Sequence, residues 1–255
     1  MIILYKVCFN SARDDVLSST PGARPIVSNI QEMISVCVKS VVKQMSKTDK
    51  IIFFLDGEDI HNTLENICTK YDVKFSIKSF NHGCAVKTFN ETVLHIINEI
   101  DNEEEDIYLC EDDYLHYNNC LSRVKEFLNK YPTFFCHPTD YPNLYSSEES
   151  YYGCNNRLES GSFKQQSEII TTNKHHWRRV KSTTMTFAFK KKMFTKYYNI
   201  FTNMSFTLFW EHMHNIMYVF DECYSPIPSL ASHLERKCLP PCIDTKKEYN
   251  KIKKC

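Results

Sequence analysis

What most limits the fold is an alternation over the first 113 residues that ends in three consecutive acids. Short apolar runs rich in β-branched and aromatic residues, at Ile2 to Phe9, Lys50 to Leu55, 73–79 and Ile107 to Cys110, read as four strands. Between the first two, Ile30, Met33, Ile34, Cys37, Val41 and Met45 recur at helical spacing and predict a helix over about 26–46. Helices at about 59–70 and 85–100 are expected between the later strands. Strands and helices in strict alternation predict an α/β fold, with a mostly parallel central sheet flanked by helices.

The second half breaks this rhythm. A helix near 118–129 and a strand at 133–136 precede about forty irregular residues, 137–178, and loops of that length usually carry function. A strand is expected over Ser182 to Lys190 and a helix around 205–220. The tail from Asp221 holds four of the nine prolines and reads as a wrapping segment with a mobile basic end. With no repeat and no linker in view, the 255 residues read as a single domain.

Composition removes several function classes. Lys+Arg and Asp+Glu are both 31, and this balance argues against a protein that lives on nucleic-acid phosphates. The five glycines make neither GxGxxG nor GxxxxGK[ST], which excludes a dinucleotide fingerprint and a P-loop. No secretory signal and no run of membrane-spanning length is visible, so the expected setting is a reducing cytoplasm with the twelve cysteines free. There is no CxxC. The nearest cysteine pair, Cys238 and Cys242, with Cys255 at the end, is looser than the ligand pairs of structural zinc sites.

In open α/β sheets ligands bind beyond the carboxyl ends of the strands. There the sequence places Asn10, Ser11 and Arg13, then Asp56, then Asn81-His82-Gly83, then Glu111-Asp112-Asp113. Three adjacent carboxylates repel one another, and a divalent cation with oxygen ligands would relieve that repulsion.

The order of these motifs resembles the GT-A nucleotide-sugar glycosyltransferases, above all the large inverting family 2. Phe9-Asn10 with Arg13, Phe54-Leu55-Asp56-Gly57, Asn81-His82-Gly83 with Asn90, Glu111-Asp112-Asp113 as a variant of the metal-binding DxD, and Phe187-Ala188-Phe189-Lys190-Lys191 before Glu211 follow that family's sequence of motifs over roughly residues 1–220. Two departures stand out: Glu111 replaces the first Asp of DxD, and His212 follows Glu211 where the family often has Asp. His175-His176-Trp177-Arg178 through Ser182-Thr183-Thr184-Met185 has no counterpart in the generic pattern.

The resemblance implies a GT-A-like, Rossmann-like domain with a nucleotide-sugar-binding half (1–116), an acceptor-binding half (117–235) and a tail (236–255). It implies an enzyme that moves a sugar from a nucleotide-diphosphate sugar, a UDP-sugar first of all, to a glycan or other hydroxyl acceptor. Asn10, Arg13, Asp56, Asn81, Glu111 and Asp112 would bind the donor. Asp113 and a late histidine, His233, would ligate Mn²⁺ or Mg²⁺, with His212 and His214 as competitors for the histidine's place. Glu211 would be the general base and Asp140 the runner-up. His176 and Trp177, with Tyr151 and Tyr152, would face the acceptor, beneath a lid formed by 137–178. Each role has a plainer alternative: a turn-forming Asp56, a structural Glu211, a core Trp177. A sugar-nucleotide nucleotidyltransferase is disfavoured because the loop after strand one has no glycine before Gly22. A non-catalytic binding module of the same fold stays open.

Overall fold

The pleat of the first strands sorts their side chains into two cores. In the computed structural model, which describes residues 1–9, 24, 26–27, 29–144, 168–203 and 214–255, these strands are β1 (Ile2–Cys8), β2 (Lys50–Asp56), β3 (Lys74–Phe80) and β4 (Asp106–Glu111). Ile3, Tyr5, Val7, Ile51, Phe53, Leu55, Tyr108 and Cys110 point to one face, and Leu4, Ile52, Phe54, Ile107 and Leu109 to the other. Burial on both faces is the mark of a parallel sheet wrapped by helices. Helices α1 (Ile30–Val42) and α2 (Thr63–Lys70) cover the first face, and α3 (Ala85–Glu99) covers the second.

The later elements complete the sheet. They are β5 (Tyr114–His116), α4 (Cys120–Lys130), β6 (Phe135–Cys136), β7 (Ile169–Thr171), β8 (His176–Val180) and β9 (Phe187–Lys190). Then come α5 (Lys191–Lys196), α6 (Tyr198–Asn203), α7 (Met217–Phe220), β10 (Cys223–Ile227), β11 (Ala231–His233) and α8 (Thr245–Lys253). Among the described residues the main sheet has the order β3–β2–β1–β4–β9–β6–β10–β8–β7. β1 to β4 run parallel, and β9 enters antiparallel beside β4. A small second sheet pairs β5 with β11 antiparallel, Tyr114 facing His233. No helix among the described residues is long and apolar enough to cross a membrane.

Three sequence expectations are corrected. The strand expected over Ser182 to Lys190 is regular only from Phe187, where pairing with β4 begins; before it the hydroxyls of Thr183, Thr184 and Thr186 bond to His214, Tyr114 and the Glu111 amide. The irregular stretch 137–178 contains β7 and most of β8, although residues 145–167 lie outside the described ones. The tail is ordered: α8 is capped by Asp244, buries Tyr249 and Ile252 against the first core, and lets the Tyr249 hydroxyl donate to Glu32 at 3.1 Å.

Asp56, at the end of β2, organises the next loop. Its Oδ1 accepts from the backbone N–H groups of His82 (2.8 Å) and Gly83 (3.1 Å), and its Oδ2 from Cys84 N–H and the Thr88 hydroxyl (both 3.1 Å). His82, Gly83 and Cys84 form the loop that leads into α3 and Thr88 lies in its first turn, so the carboxylate ties both loop and helix start to β2. Gly83 sits at φ +57°, the left-handed region that lets two successive N–H groups turn toward one oxygen. Burial works against the charge, but the four hydrogen bonds outweigh it and hold the Asp56 carboxyl below its ordinary range.

Two buried histidines are neutral by construction. His116 Nδ1–H donates to the Tyr114 carbonyl at 3.1 Å while its Nε2 accepts from the Tyr108 hydroxyl at 2.5 Å. His137 Nδ1–H donates to the Thr186 carbonyl at 2.6 Å. Burial pushes His116 down to about 4 and His137 down to about 3.

Two outcomes follow. The unfolded chain protonates both histidines near their ordinary pKa of about 6.5, whereas the native chain resists, so native stability is full above that pH and falls as pH drops toward about 4. Urea titrations at a series of pH values measure the decline, and an NMR titration placing His116 near its ordinary pKa contradicts it. Replacing Asp56 with Ala removes an acceptor of four charge-assisted hydrogen bonds and is expected to cost about 3 kcal/mol of unfolding free energy. A change within about 0.5 kcal/mol would mean the carboxylate holds nothing in place.

Candidate functional site

The carboxyl ends of β1, β2 and β4 carry the charges that the doubly buried sheet excludes, and each meets a partner there. Lys6, the one charge inside the apolar run of β1, lies beside Glu111 in register, and its Nζ donates to Glu111 Oε1 at 3.0 Å. The sequence shows Lys6 only as an interruption; its meaning comes from the neighbouring strand. Glu111 N–H in turn donates to the Thr186 hydroxyl at 3.1 Å.

The three acids face different ways. The chain turns at Asp112 and Asp113 before entering β5. Asp112 is buried and its Oδ2 accepts from Cys8 N–H at 2.9 Å, which ties the turn to the end of β1. Asp113 is also buried, and the Arg24 guanidinium and His233 both contact its Oδ2, His233 Nε2 at 3.2 Å. The Asp113 carbonyl accepts from Leu234 N–H at 3.0 Å, so backbone and side chain together lock the turn to the end of β11.

His233 is positioned from three sides. Its strand pairs with β5, its ring stacks on Tyr114 with centroids 4.8 Å apart at 12°, and Asp113 takes its Nε2. Burial disfavours charge on the ring, but the Asp113 carboxylate and the neighbouring Cys238 outweigh it and raise the pKa well above the ordinary histidine value. The Tyr114 hydroxyl in turn meets Tyr141 (2.6 Å) and Thr184, the latter from the segment that departs from the family pattern.

A second ion pair closes the far side. Asp140 in the loop after β6 pairs with Arg178 of β8, and its N–H donates to Ser229 at 2.8 Å. Both side chains are buried. Pro138 C=O accepts from Leu230 and Ala231 N–H at 3.0 Å each, which holds this loop against the approach to β11.

Sequence reasoning therefore reached Glu111, Asp112, Asp113 and His233, and the structure gathers them at one edge, with Asp140 on the loop braced against β11. Asp56 lies at the same end of the sheet, but its own chain fills its carboxylate, so it positions the Asn81–Gly83 loop rather than offering an acceptor to a base or ribose. Asn81 is exposed in that loop. Trp177 is corrected outright: it is fully buried, packs on Phe127 at 4.5 Å and donates Nε1–H to Thr172 at 3.2 Å, so it is a core residue and not an acceptor platform. His176, one residue away and on the other face of β8, is exposed. His214 spends Nε2 on Thr183 and stacks on Phe187 in the second core. Asn10, Arg13, Tyr151, Tyr152, Glu211 and His212 lie outside the described residues, as does most of the expected lid. Arg24 was missed; nothing in its local sequence marks it, since its partner is 89 residues away.

Asp113 and His233 are the pair to which a divalent cation would fit. The Asp113 carboxylate is an oxygen donor that suits Mn²⁺ or Mg²⁺ together with diphosphate oxygens, and His233 Nε2, 3.2 Å from it, would add an imidazole donor on releasing its proton, a set that suits Mn²⁺ better than Mg²⁺. Arg24 and His233 supply the positive charge that this buried carboxylate requires.

No protein-family model matches the chain, and no curated protein matches it in sequence. Solved structures match it in fold. TarS residues 1–349 of S. aureus in complex with UDP superposes with a TM-score of 0.53 at 11% identity, covering 98% of this chain and 62% of that one. A second crystal structure of the same TarS fragment gives 0.52 at 10%, covering 88% of this chain and 57% of that one. This chain thus spans less than two thirds of the TarS fragments. The galactosyltransferase LgtC, in complex with donor and acceptor sugar analogues, superposes at 0.52 and 8% identity, covering 100% and 95%. A Bacillus anthracis protein named as a glucose-1-phosphate thymidylyltransferase, in complex with sucrose, gives 0.51 at 10%, covering 100% and 95%. At these identities the likeness is one of fold. With four parallel strands in the order 3–2–1–4, an acidic turn after the fourth and a returning strand that meets it, the chain has the GT-A fold of the nucleotide-sugar glycosyltransferases that its motifs resemble.

Proposed function

We propose that this chain is a metal-dependent glycosyltransferase that moves a sugar from a nucleotide-diphosphate sugar, a UDP-sugar first of all, to an acceptor hydroxyl with inversion. The observation that carries the reading is the meeting of Asp113 with His233, 120 residues apart, at the carboxyl edge of the parallel strands. Supporting it, UDP is bound to TarS and donor and acceptor sugar analogues to LgtC, two structures that share the fold.

Mn²⁺ or Mg²⁺ would neutralise the charge that builds on the departing diphosphate. Asp113 Oδ2 and His233 Nε2 would hold it, which leaves the Arg24 guanidinium available to the diphosphate oxygens. Glu111, steadied by Lys6, would contact the ribose, as the resemblance implies, and Asn10, Arg13 and Asn81 would complete the nucleotide side. Glu211 takes the proton of the acceptor hydroxyl as that oxygen attacks the anomeric carbon; the bond to the diphosphate breaks and nucleoside diphosphate leaves. Asp140 is the weaker candidate for this task, because its carboxylate is committed to Arg178 inside the protein. The ion pair instead suits it to fixing the loop on the acceptor side.

A second reading is sugar-nucleotide nucleotidyl transfer, favoured by the thymidylyltransferase-named structure of the same fold. The products separate the two. Incubation with nucleotide sugars and Mn²⁺ is expected to release nucleoside diphosphate; pyrophosphate formation from nucleotide triphosphate and sugar phosphate would support the second reading instead.

Asp113→Asn is expected to abolish Mn²⁺-dependent binding of nucleoside diphosphate in calorimetry, with the circular dichroism spectrum unchanged. Unaltered affinity removes Asp113 from the cation. Glu211→Gln is expected to lower kcat by about two to four orders of magnitude with donor binding nearly intact. Loss of donor affinity in parallel with rate would move Glu211 to the donor side and return the base to Asp140.

A further inference from the structure

Beyond the turn that carries Asp113, the chain leaves β11 and folds back on itself. Glu235 precedes a single 3-10 turn, Arg236–Cys238, and Cys238 N–H donates to the Glu235 carbonyl at 2.9 Å. This tight reversal brings Cys238 beside His233. One ligand atom each from His233, Glu235 and Cys238 lies within 4.8 Å of the other two, and all three side chains are half-buried. The site differs from the loose Cys238–Cys242–Cys255 arrangement that the spacing of cysteines suggests. It recruits the histidine and the glutamate from the same hexapeptide and leaves Cys242 and Cys255 exposed.

His233 already has the arrangement of a metal-bound imidazole. Its Nε2 is engaged with Asp113, whereas its Nδ1 is buried, with no oxygen or nitrogen partner and only the Cys238 thiol beside it. An imidazole that gives one N–H to a carboxylate and turns the other nitrogen to a metal is the usual outer-shell pattern of protein zinc sites. A thiol is a weak hydrogen-bond partner for a buried ring nitrogen, and ligation of both to one ion replaces that weak contact. We infer that His233 Nδ1, Glu235 and Cys238 form a site for a Zn²⁺-class ion, three protein ligands with the fourth position open to water. Nitrogen, oxygen and sulfur together select a borderline-soft cation over Mg²⁺, which takes oxygen ligands. Ligation displaces the protons on Nδ1 and on the thiol to solvent.

The site has one consequence for the proposed transferase, and this consequence alone rests on that reading. A neutral imidazole has a single lone pair, so His233 serves one ion at a time. An ion on Nδ1 leaves Nε2–H on Asp113 and withdraws the histidine from the donor-side cation.

The test needs no nucleotide, sugar or turnover, so its failure is separate from failure of the proposed function. Titrating Co²⁺ into the full chain is expected to produce a thiolate-to-metal charge-transfer band that Zn²⁺ displaces. Cys238→Ser should abolish the band, and Cys242→Ser and Cys255→Ser should leave it. Glu235→Gln should raise the Zn²⁺ dissociation constant about tenfold or more. X-ray absorption at the zinc edge of the loaded wild-type chain should show one sulfur at about 2.3 Å with nitrogen and oxygen neighbours at about 2.0–2.2 Å. Absence of the band in the wild type, its persistence in Cys238→Ser, or a sulfur-free shell overturns the site. Should Cys238→Ser fail to fold, the absorption spectrum of the wild type decides.

Discussion

The sheet formed by β1, β2 and β4 is buried on both faces, and that burial governs where every nearby charge can sit. A charge inside such a layer would lose its water without gaining a partner, a cost of several kcal/mol per ion. The strands therefore carry Val, Ile, Leu, Phe and Tyr through their middles, with Lys6 the one paired exception, and place their acids at their ends. Because the strands are parallel, those ends lie together. A row of acids at the strand ends is thus a geometric product of the same burial that holds the core.

What happens at that edge is decided by charge satisfaction. Asp56, Glu111, Asp112 and Asp113 would repel one another if left alone. Each is resolved differently: Asp56 by the backbone and hydroxyl of the α3 start, Glu111 by Lys6, Asp112 by the Cys8 amide, Asp113 by Arg24 and His233. Asp113 stands apart because Arg24 and His233, side chains on two separate segments, both meet its carboxylate. Asp56, by contrast, cannot change partners without releasing the first turn of α3.

The return of the chain through β11 gives the site its second half. Pairing with β5 delivers His233 to Asp113, and the stacking of Tyr114 on His233 fixes the ring plane. The same strand register sets Glu235 and Cys238 just beyond. One short antiparallel pair thereby determines the neighbours of both ring nitrogens.

The sequence by itself determined the four parallel strands, their helices and the polar character of the strand ends, because period-2 and period-3.6 patterns and turn residues are local signals. It also pointed to Asp113 and His233, through the order of motifs. Tertiary structure alone decided the rest. Trp177 beside two histidines reads as a binding aromatic, yet strand alternation turned it into the core against Phe127 while His176 took the outer face. Asp56 before a glycine reads as a ligand or a turn, yet a loop 26–28 residues onward consumed its carboxylate. Arg24 and Lys6 acquired their roles from partners 89 and 105 residues away, and the basic tail became a helix because α1 offered it an apolar face and Glu32. The physical reason is common to all of these: burial and pairing of charges are properties of segments that meet only when the chain is folded, and no local pattern records who will be opposite whom.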